Sequence, residues 1–231
     1  MSARFWAIAT VVAGVVTLGL FVVFAMLPEM QAAAECLPPG SVVQFEFARH
    51  SADLIRIFGT TDGTCRPLAI AAMDAVNRID VLAFIPAYTL FCICASLFLA
   101  DGQWRRPLVI IAIGAALIAA AADYLETTTL LAITQTLDAP GQLLQYSQPG
   151  AWSKFVLLAA HAVFCAGICY TNDKQRLILG TLLMLPAFGV AAAAYDHVTL
   201  SNLMNGAFTI AWVSLLAMAI VSVVRAKGVQ A

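Results

Sequence analysis

Polar residues open the second apolar stretch of the chain at DAVNRID, residues 74–80. Asp74, Asn77 and Asp80 follow one another at intervals of three, so a helix would place successive members about 60° apart on one face. Arg78 stands four residues after Asp74, the spacing at which a carboxylate and a guanidinium pair on a helix. Two carboxylates on one face could act as acid and base, or bind a cation.

A second acidic stretch, DYLETTT, lies inside another apolar run. Asp123 and Glu126 are three residues apart, with Thr127 on the same side. A charge that faces lipid costs several kcal/mol, so both acidic faces should turn towards the interior of the protein. Two facing carboxylate clusters need something positive between them, for which the candidates are Arg78, Lys154, a metal ion or shared protons.

Counting residues along the helices brings these groups to one level. At about 1.5 Å per residue from the cytoplasmic helix ends, ionisable groups of four helices fall roughly 24–30 Å up, at the outer edge of the hydrocarbon. His161 lies about 10 Å below Lys154. Each of these groups also has a simpler interpretation. The layer as a whole would be a solvated interface, Asp196 would mark a helix end, and His161 would be a hydrogen-bonded core histidine. The layer consists of Asp80, Asp123, Glu126, Lys154, Asp196 and His197.

The favoured function is an enzyme that acts on a lipid or isoprenoid at the outer membrane surface, as a hydrolase, transferase or cyclase. Asp80 and Glu126 would exchange protons and Asp123 would orient them. Lys154 is also predicted to be catalytic. In an alternative role, either Lys154 or Arg78 would bind an anionic head group. The residues predicted to bind substrate are Asp74, Asn77, Arg78, Tyr88, Thr127, His161 and His197.

Other functions fit the same residues. Intramembrane carboxylates often relay protons, so a proton- or ion-coupled transporter is one alternative. A non-catalytic protein that binds lipid or a partner, with the charged layer as an internal contact, is another. A metal-assisted enzyme would use Asp80, Asp123 and Glu126 as ligands of a divalent ion, and the sequence leaves the cofactor unknown. No nucleotide cofactor is expected, because no glycine-rich phosphate loop is present.

Composition identifies the class of protein that must position these groups. Apolar residues make up 62% of the 231 residues and charged residues 11%, whereas soluble domains have roughly 45–50% and about 25%. Together with a mean hydropathy of +0.90, this predicts an integral membrane protein; the expected location, a bacterial inner membrane, goes with the resemblance described below. The net charge of -1 gives no reason to expect nucleic acid, so the expected partner is a membrane lipid or another hydrophobic small molecule.

The expected fold is all-α, a polytopic membrane helix bundle that forms a single transmembrane domain over residues 1–231. Each apolar run must satisfy its own backbone hydrogen bonds as a helix. The first is long enough to span a membrane and is expected to be retained, not cleaved as a signal. Pro86 and Pro186 should kink their helices and open space for Tyr88. The six spans are expected at about 5–27, 68–100, 107–136, 152–170, 177–198 and 204–225.

Lysine and arginine residues predict the orientation of this bundle. Arg49, Arg56 and Arg66 fall on one side of six spans and a larger set on the other, which puts both termini in the cytoplasm. The larger set comprises Arg4, Arg105, Arg106, Lys174, Arg176, Arg225 and Lys227.

The long connection between the first two spans contains an amphipathic pattern at about 42–59. It predicts one helix on the outer membrane surface, either a structural cap or a lid over an outward-opening site. Within that helix, Glu46 with His50 and Arg49 with Asp53 would pair at the i, i+4 spacing.

Cysteines flank this connection and also lie within the spans. Cys36 and Cys65 are on the oxidising side, where a disulfide between them and two free thiols are both open alternatives. The cysteines inside spans have the spacing of neither a redox pair nor a zinc ribbon, so small packing residues are expected. They are Cys92, Cys94, Cys165 and Cys169.

Three stretches, FEFARHSADLIRIFG, DVLAFIPAYTLFCI and DYLETTTLL, resemble in their order a group of small, poorly characterised bacterial polytopic membrane proteins. Those proteins show an outer FELA-like segment, an LDFLFIxxY-like helix start, a DxxEN-like motif and a later lysine near a tryptophan. The resemblance covers about two thirds of the chain. It has no secure function attached and implies only the choice of site residues, with Thr127 where an asparagine is expected. The matching positions are Phe45 to Ala48, Asp80, Tyr88, Asp123, Glu126 and Lys154 beside Trp152.

Overall fold

A computed structural model of the protein describes residues 2–172 and 176–228. Helix makes up 83% of it and the described part contains no strand, which confirms the all-α prediction. Six helical stretches are long and apolar enough to cross a membrane, so the chain is an integral membrane protein. They are Ala3–Ala32, Arg66–Leu99, Pro107–Thr134, Leu143–Thr171, Leu177–Tyr195 and Thr199–Arg225.

Within the described residues the chain forms eleven α-helices and one π-helical turn. Of the residues that predict the orientation, Lys174 and the side chain of Lys227 lie outside what the structure describes. The helices are α1 Ala3–Met26, α2 Pro28–Ala32, α3 Ser41–Glu46, α4 Ser51–Phe58, α5 Arg66–Ile79, the π-helix Asp80–Phe84, α6 Ile85–Leu99, α7 Pro107–Thr134, α8 Leu143–Asn172, α9 Leu177–Leu183, α10 Leu185–Tyr195 and α11 His197–Gly228.

The second span is irregular where the sequence predicts a kink at Pro86. Proline has no N–H for the carbonyl of Leu82, and the preceding turn is widened into the π-helix. In this turn the N–H of Ile85 bonds to the carbonyl of Asp80, five residues earlier. Wide turns of this kind re-aim side chains and often lie at functional sites.

The fifth span is divided at Pro186 and ends earlier than the sequence suggested. Pro186 lies at the start of α10, next to the break with α9. Helix α10 ends at Tyr195, Asp196 is extended, and α11 begins at His197. The Asp196 carboxylate accepts the N–H of Thr199 at 3.2 Å, as a residue that caps a helix start does.

The fourth span begins nine residues earlier than predicted, at Leu143. Pro149 lies inside α8, where burial of the preceding turns outweighs the backbone bond that a proline removes. Leu144 belongs to a hydrophobic core and Ser147 is fully buried. Lys154 is therefore the twelfth residue of its helix, well inside it.

The predicted single amphipathic helix is instead two short helices, α3 and α4. Between them Asp53 accepts the backbone N–H groups of Arg49 and His50 at 2.9 and 3.1 Å, which caps α4 and interrupts the helix. Burial of Asp53 works to raise its pKa, but these two hydrogen bonds hold the pKa below its usual value. Arg49 thus meets Asp53 through its backbone, and Glu46 points to another partner.

The chain divides into two compact units. One, called here the acidic unit, comprises Gly19–Pro86 and Ala120–Lys154; the other comprises Met1–Leu18, Ala87–Ala119 and Phe155–Ala231, as far as these are described. In the acidic unit, the segment before α5 packs its apolar side chains against α5, α7 and α8. This core contains Phe45, Ala48, Leu54, Ile57, Phe58, Ala69, Met73, Leu130, Ile133, Leu137 and Leu144.

The other unit contains the paired helices α10 and α11. They approach closely at Gly189, where a Cβ would lie 2.9 Å from the Cα of Met204. Helix α1 makes a similar approach at Gly14, whose missing Cβ leaves room for the ring of Phe91. Small residues at contacts of this kind are typical of helices that pack within membranes.

Candidate functional site

The ammonium group of Lys154 is the centre of a charged cluster in the acidic unit. Its Nζ lies 2.8 Å from Glu126 Oε2, 3.1 Å from Asp123 Oδ1 and 3.2 Å from Glu46 Oε1. The Glu126 side chain is 0% exposed and that of Lys154 only 7%. Groups so buried are not a solvated interface, and a buried ammonium is tolerated because carboxylates surround it.

Helices α7 and α8 hold this cluster by approaching very closely. Asp123 and Glu126 share one face of α7, and Lys154 lies on α8 one turn after Gly150. A Cβ at Gly150 would stand 2.9 Å from the Cβ of Glu126 and 3.1 Å from the carbonyl oxygen of Ala122. The glycine therefore lets the backbone of α8 reach α7 and brings the ammonium within range of both carboxylates.

Glu46 is a member of the cluster that the sequence did not assign to the site. It ends α3, and the next residue, Phe47, packs its ring 4.7 Å from that of Trp152 on α8. Burial raises the pKa of the Glu46 carboxyl, the charge of Lys154 opposes this, and the charge of Asp123 adds to it. The available signal was its place inside the FEFA stretch, whereas helical spacing predicted a pair with His50.

Asp80 joins the cluster through a hydroxyl group. Thr127 Oγ1 donates to Asp80 Oδ2 at 2.9 Å and lies 3.4 Å from Asp123 Oδ1. Asp80 begins the π-helix, so the wide turn before Pro86 sets the direction of its side chain. Asp80 is half-buried, whereas Asp123 and Thr127 are buried, which makes Asp80 the more accessible of the three.

A second hydroxyl–carboxylate contact connects α7 to α5, the helix that precedes the π-helix. Thr134 Oγ1 donates to Asp74 Oδ1 at 2.6 Å, and Asp74 Oδ2 lies 3.8 Å from Arg78 Nη2. Asn77, between Asp74 and Asp80 on α5, is buried at 5% exposure. The face that the spacing by three predicts is thus turned towards α7, and its two carboxylates bond to threonines two turns apart.

Not every polar atom of this region has a partner among the described residues. Glu126 Oε1, Glu46 Oε2 and Asn77 Nδ2 are buried and make no hydrogen bond. Glu126 Oε2 is close to Lys154, but that contact is an ion pair without hydrogen-bond geometry. A fully buried carboxylate with an unbonded oxygen is costly in its charged form.

Three residues predicted to bind substrate belong to the other unit. Tyr88 is buried and stacks on Trp212, with ring centroids 5.9 Å apart. His161 Nδ1 lies 3.1 Å from the carbonyl oxygen of Ala112, as expected for a hydrogen-bonded core histidine. His197 is the first residue of α11. The structure thus brings Asp80, Asp123, Glu126, Thr127 and Lys154 together in the acidic unit. Tyr88, His161 and His197 belong to the other unit.

The donor set does not resemble a metal centre. Among the described residues, no group of three His, Cys, Asp or Glu side chains could hold a metal ion. The position between the carboxylates is taken by the Lys154 ammonium, which already supplies a positive charge there. The residues present therefore fit proton chemistry better than metal coordination.

The segment that carries Glu46 is fastened covalently to the acidic unit. Cys36 and Cys65 form a disulfide with their Cα atoms 5.2 Å apart. Beyond it, Arg66 Nη2 donates to Asp138 Oδ1 at 2.6 Å, and this bond, with another from Thr61, lowers the pKa of the Asp138 carboxyl. The segment is a packed and crosslinked cap, and Glu46 is held over the cluster by it.

No protein-family model matches this chain, and neither a curated protein nor a solved structure is detectably similar to it.

Proposed function

We propose that this integral membrane protein is an enzyme that performs acid–base chemistry on a membrane lipid. The observation that carries the proposal is the sharing of one ammonium, that of Lys154, by three carboxylates. Those of Asp123 and Glu126 are buried, that of Glu46 is largely buried, and Asp80 is bonded to the edge of the cluster. Such a group of carboxylates can hold and exchange protons, which is what general acid–base catalysis requires.

The charge balance supports proton binding. The cluster holds four carboxylates and one ammonium, and if all were ionised it would carry three negative charges in excess. Burial penalises unpaired charge strongly, and buried carboxyl groups relieve this by taking up protons. Glu126 is the best candidate to carry a proton, because it is fully buried and one of its oxygens has no partner.

The exposures suggest distinct roles. Asp80 is half-buried and its neighbour Leu82 is 78% exposed, so this turn is the part of the site that a lipid could reach. Asp80 would exchange a proton with the substrate and Glu126 would store one. Asp123 and Lys154 would hold the carboxylates in place, and Thr127 would connect Asp80 to them.

Lys154 is fully engaged with carboxylates, so a head group would need another cation. The guanidinium of Arg78 is 69% exposed and stands two residues before Asp80. An exposed guanidinium suits an anionic group, because its fork of donors matches phosphate oxygens. This favours Arg78 over Lys154 as the group that binds a lipid head.

One observation favours a second candidate function. The buried Glu126 with its unbonded oxygen is also what a proton relay in a coupled transporter would use. Proton movement across the membrane and lipid turnover can be measured separately, so the two candidates make different predictions.

The test uses the purified full chain in vesicles that contain mixed phospholipids and isoprenyl phosphates. Mass spectrometry should detect a lipid product, and Asp80→Asn and Glu126→Gln should each lower its rate at least about 100-fold. The control Glu35→Gln removes an exposed carboxylate outside the cluster and should leave the rate unchanged. Infrared spectra should show a protonated carboxyl band that Glu126→Gln removes.

Two results would count against the enzyme. If folded Asp80→Asn and Glu126→Gln proteins turn lipid over like the unmodified protein, the cluster is not its acid–base site. If no product forms, but the same vesicles show a proton flux that both variants abolish, the transporter replaces the enzyme.

A further inference from the structure

A groove of about 660 Å³ runs along α5 in the acidic unit, beside α2. Its α5 wall contains Arg66, Ile70, Asp74 and Arg78, at successive spacings of four, so a single face of the helix lines it over about 18 Å. The volume lies within the range of small-molecule sites, roughly 300–1,000 Å³. The groove is separate from the buried cluster but ends two residues before Asp80.

We place the Arg78 end of the groove at the level of lipid head groups, taking Leu99 as the other end of the membrane span. The helical stretch from Asp80 to Leu99 is about 30 Å long, which is the thickness of the hydrocarbon core. Arg78 therefore stands where the hydrocarbon ends and phosphates begin. An exposed guanidinium at this depth is placed to meet a phosphate.

Charges of both signs line the groove. Arg78 is 69% exposed, and its 3.8 Å contact with Asp74 is too long for a hydrogen bond, so its donors can serve a ligand. Asp74 is oriented by the 2.6 Å hydrogen bond from Thr134 to its other oxygen. Glu29, exposed on α2, adds a second carboxylate. Two cations, Arg78 and the Arg66 that pairs with Asp138, thus share the wall of one groove with two anions.

We propose that this groove binds the head group of a zwitterionic phospholipid that carries a primary ammonium, such as phosphoethanolamine. Arg78 binds the phosphate, and Asp74 with Glu29 accepts hydrogen bonds from the ammonium. The assignment of this lipid as the substrate class rests on the lipid-directed function proposed above. Binding of the lipid can be measured independently of its turnover.

The lining distinguishes a primary from a quaternary ammonium. Among the described residues that form the groove there is no aromatic ring, whereas recognition of quaternary ammonium groups relies on aromatic faces. A primary ammonium has three N–H donors for carboxylate oxygens, and a quaternary one has none.

Native mass spectrometry of the full chain tests the proposal. The detergent-solubilised protein is mixed with equal amounts of phosphatidylethanolamine, phosphatidylcholine and phosphatidylglycerol. It should retain the ethanolamine lipid roughly tenfold more than either of the others, the effect of about one charge-assisted hydrogen bond. Arg78→Gln should lower retention of all three lipids, and Glu29→Gln and Asp74→Asn should remove the preference for ethanolamine. Glu29 is an exposed residue of a short helix, so its variant tests recognition even if Asp74→Asn perturbs the contact with Thr134.

Equal retention of the ethanolamine and choline lipids, or a preference for phosphatidylglycerol, would overturn the proposal. So would an ethanolamine preference that survives both carboxylate variants.

The Asp80→Asn protein separates this result from the proposed function. If it keeps the ethanolamine preference and also turns lipid over normally, the catalytic proposal fails and the groove stands. If turnover depends on Asp80 but the unmodified protein shows no ethanolamine preference, the groove fails and the catalytic proposal stands.

Discussion

The Glu126 carboxyl and the Lys154 ammonium are in buried contact, with 2.8 Å between Oε2 and Nζ. They lie on neighbouring helices, and Glu126 has no exposed surface. The pair is one of three contacts of the same ammonium, so the stability and the chemistry of the acidic unit depend on a single lysine. Removing the lysine leaves the carboxylates around it without their shared cation, whereas removing Glu126 leaves the ammonium in contact with Asp123 and Glu46.

Lys154→Met should therefore destabilise the protein by roughly 3–5 kcal/mol, because three carboxylates, two of them buried, lose their shared cation. Thermal unfolding in detergent measures this. The double variant Lys154→Met with Glu126→Gln should lose less than the sum of the two single effects. Arg56→Gln, which breaks the exposed pair with Asp53, is the matched control and should change stability by about 0–1 kcal/mol. A loss for Lys154→Met no larger than that of the control would contradict the central role of the ammonium.

Gly150→Ala should destabilise the protein by about 1–3 kcal/mol, since the new Cβ would overlap the Cβ of Glu126 and push α8 away from α7. The displacement should also weaken the Lys154 contacts. Gly114→Ala is the control in the same pair of helices, because a Cβ there meets nothing within 4 Å. It should be neutral or stabilise by about 0.5–1 kcal/mol. Equal effects of the two substitutions would mean that the close helix approach is not required.

Thr127→Val removes the hydroxyl that donates to Asp80 and keeps the shape of the side chain. Leaving the Asp80 carboxylate without its donor should cost about 1–3 kcal/mol. Thr127→Ser keeps the donor and should recover most of that loss. Thr128→Val serves as a control, because Thr128 is exposed and bonds only to carbonyls of its own helix. If Thr127→Val unfolds at the same temperature as the unmodified protein, Thr127 does not bind Asp80 as described.

Glu46 should make stability depend on pH. Its pKa is raised in the folded protein mainly by burial, so the unfolded chain gives up this proton more readily. The contribution to stability is complete below the usual glutamate pKa of 4.5 and is lost as the pH rises through the higher folded value. The stability of the unmodified protein minus that of Glu46→Gln should therefore fall as the pH rises from about 4 to about 8. Glu35→Gln, which removes an exposed carboxylate outside the cluster, is the control for the substitution. A Glu46 difference that stays flat over this range would show that Glu46 is not buried in the folded protein.

Much of the candidate site follows from one-dimensional information. The rise of a helix is constant and a charge avoids lipid, so the spacing of Asp80, Asp123 and Glu126 within apolar runs already predicted a common depth and an inward direction. Lys154 entered the same layer by the same count. The disulfide partners Cys36 and Cys65 were candidates from their position, although only the fold could supply the distance between them.

The sequence by itself determined the six apolar spans and the acidic faces of two of them, because composition and helical periodicity act locally. The tertiary structure alone decided which charges meet. It placed Glu46 over Lys154 by breaking the predicted outer helix at the Asp53 cap, and it continued α8 through Pro149 because Leu144 and Ser147 are buried. Both outcomes depend on contacts between residues far apart in the chain. The free energy of burying such contacts outweighs local propensities and cannot be deduced from spacing.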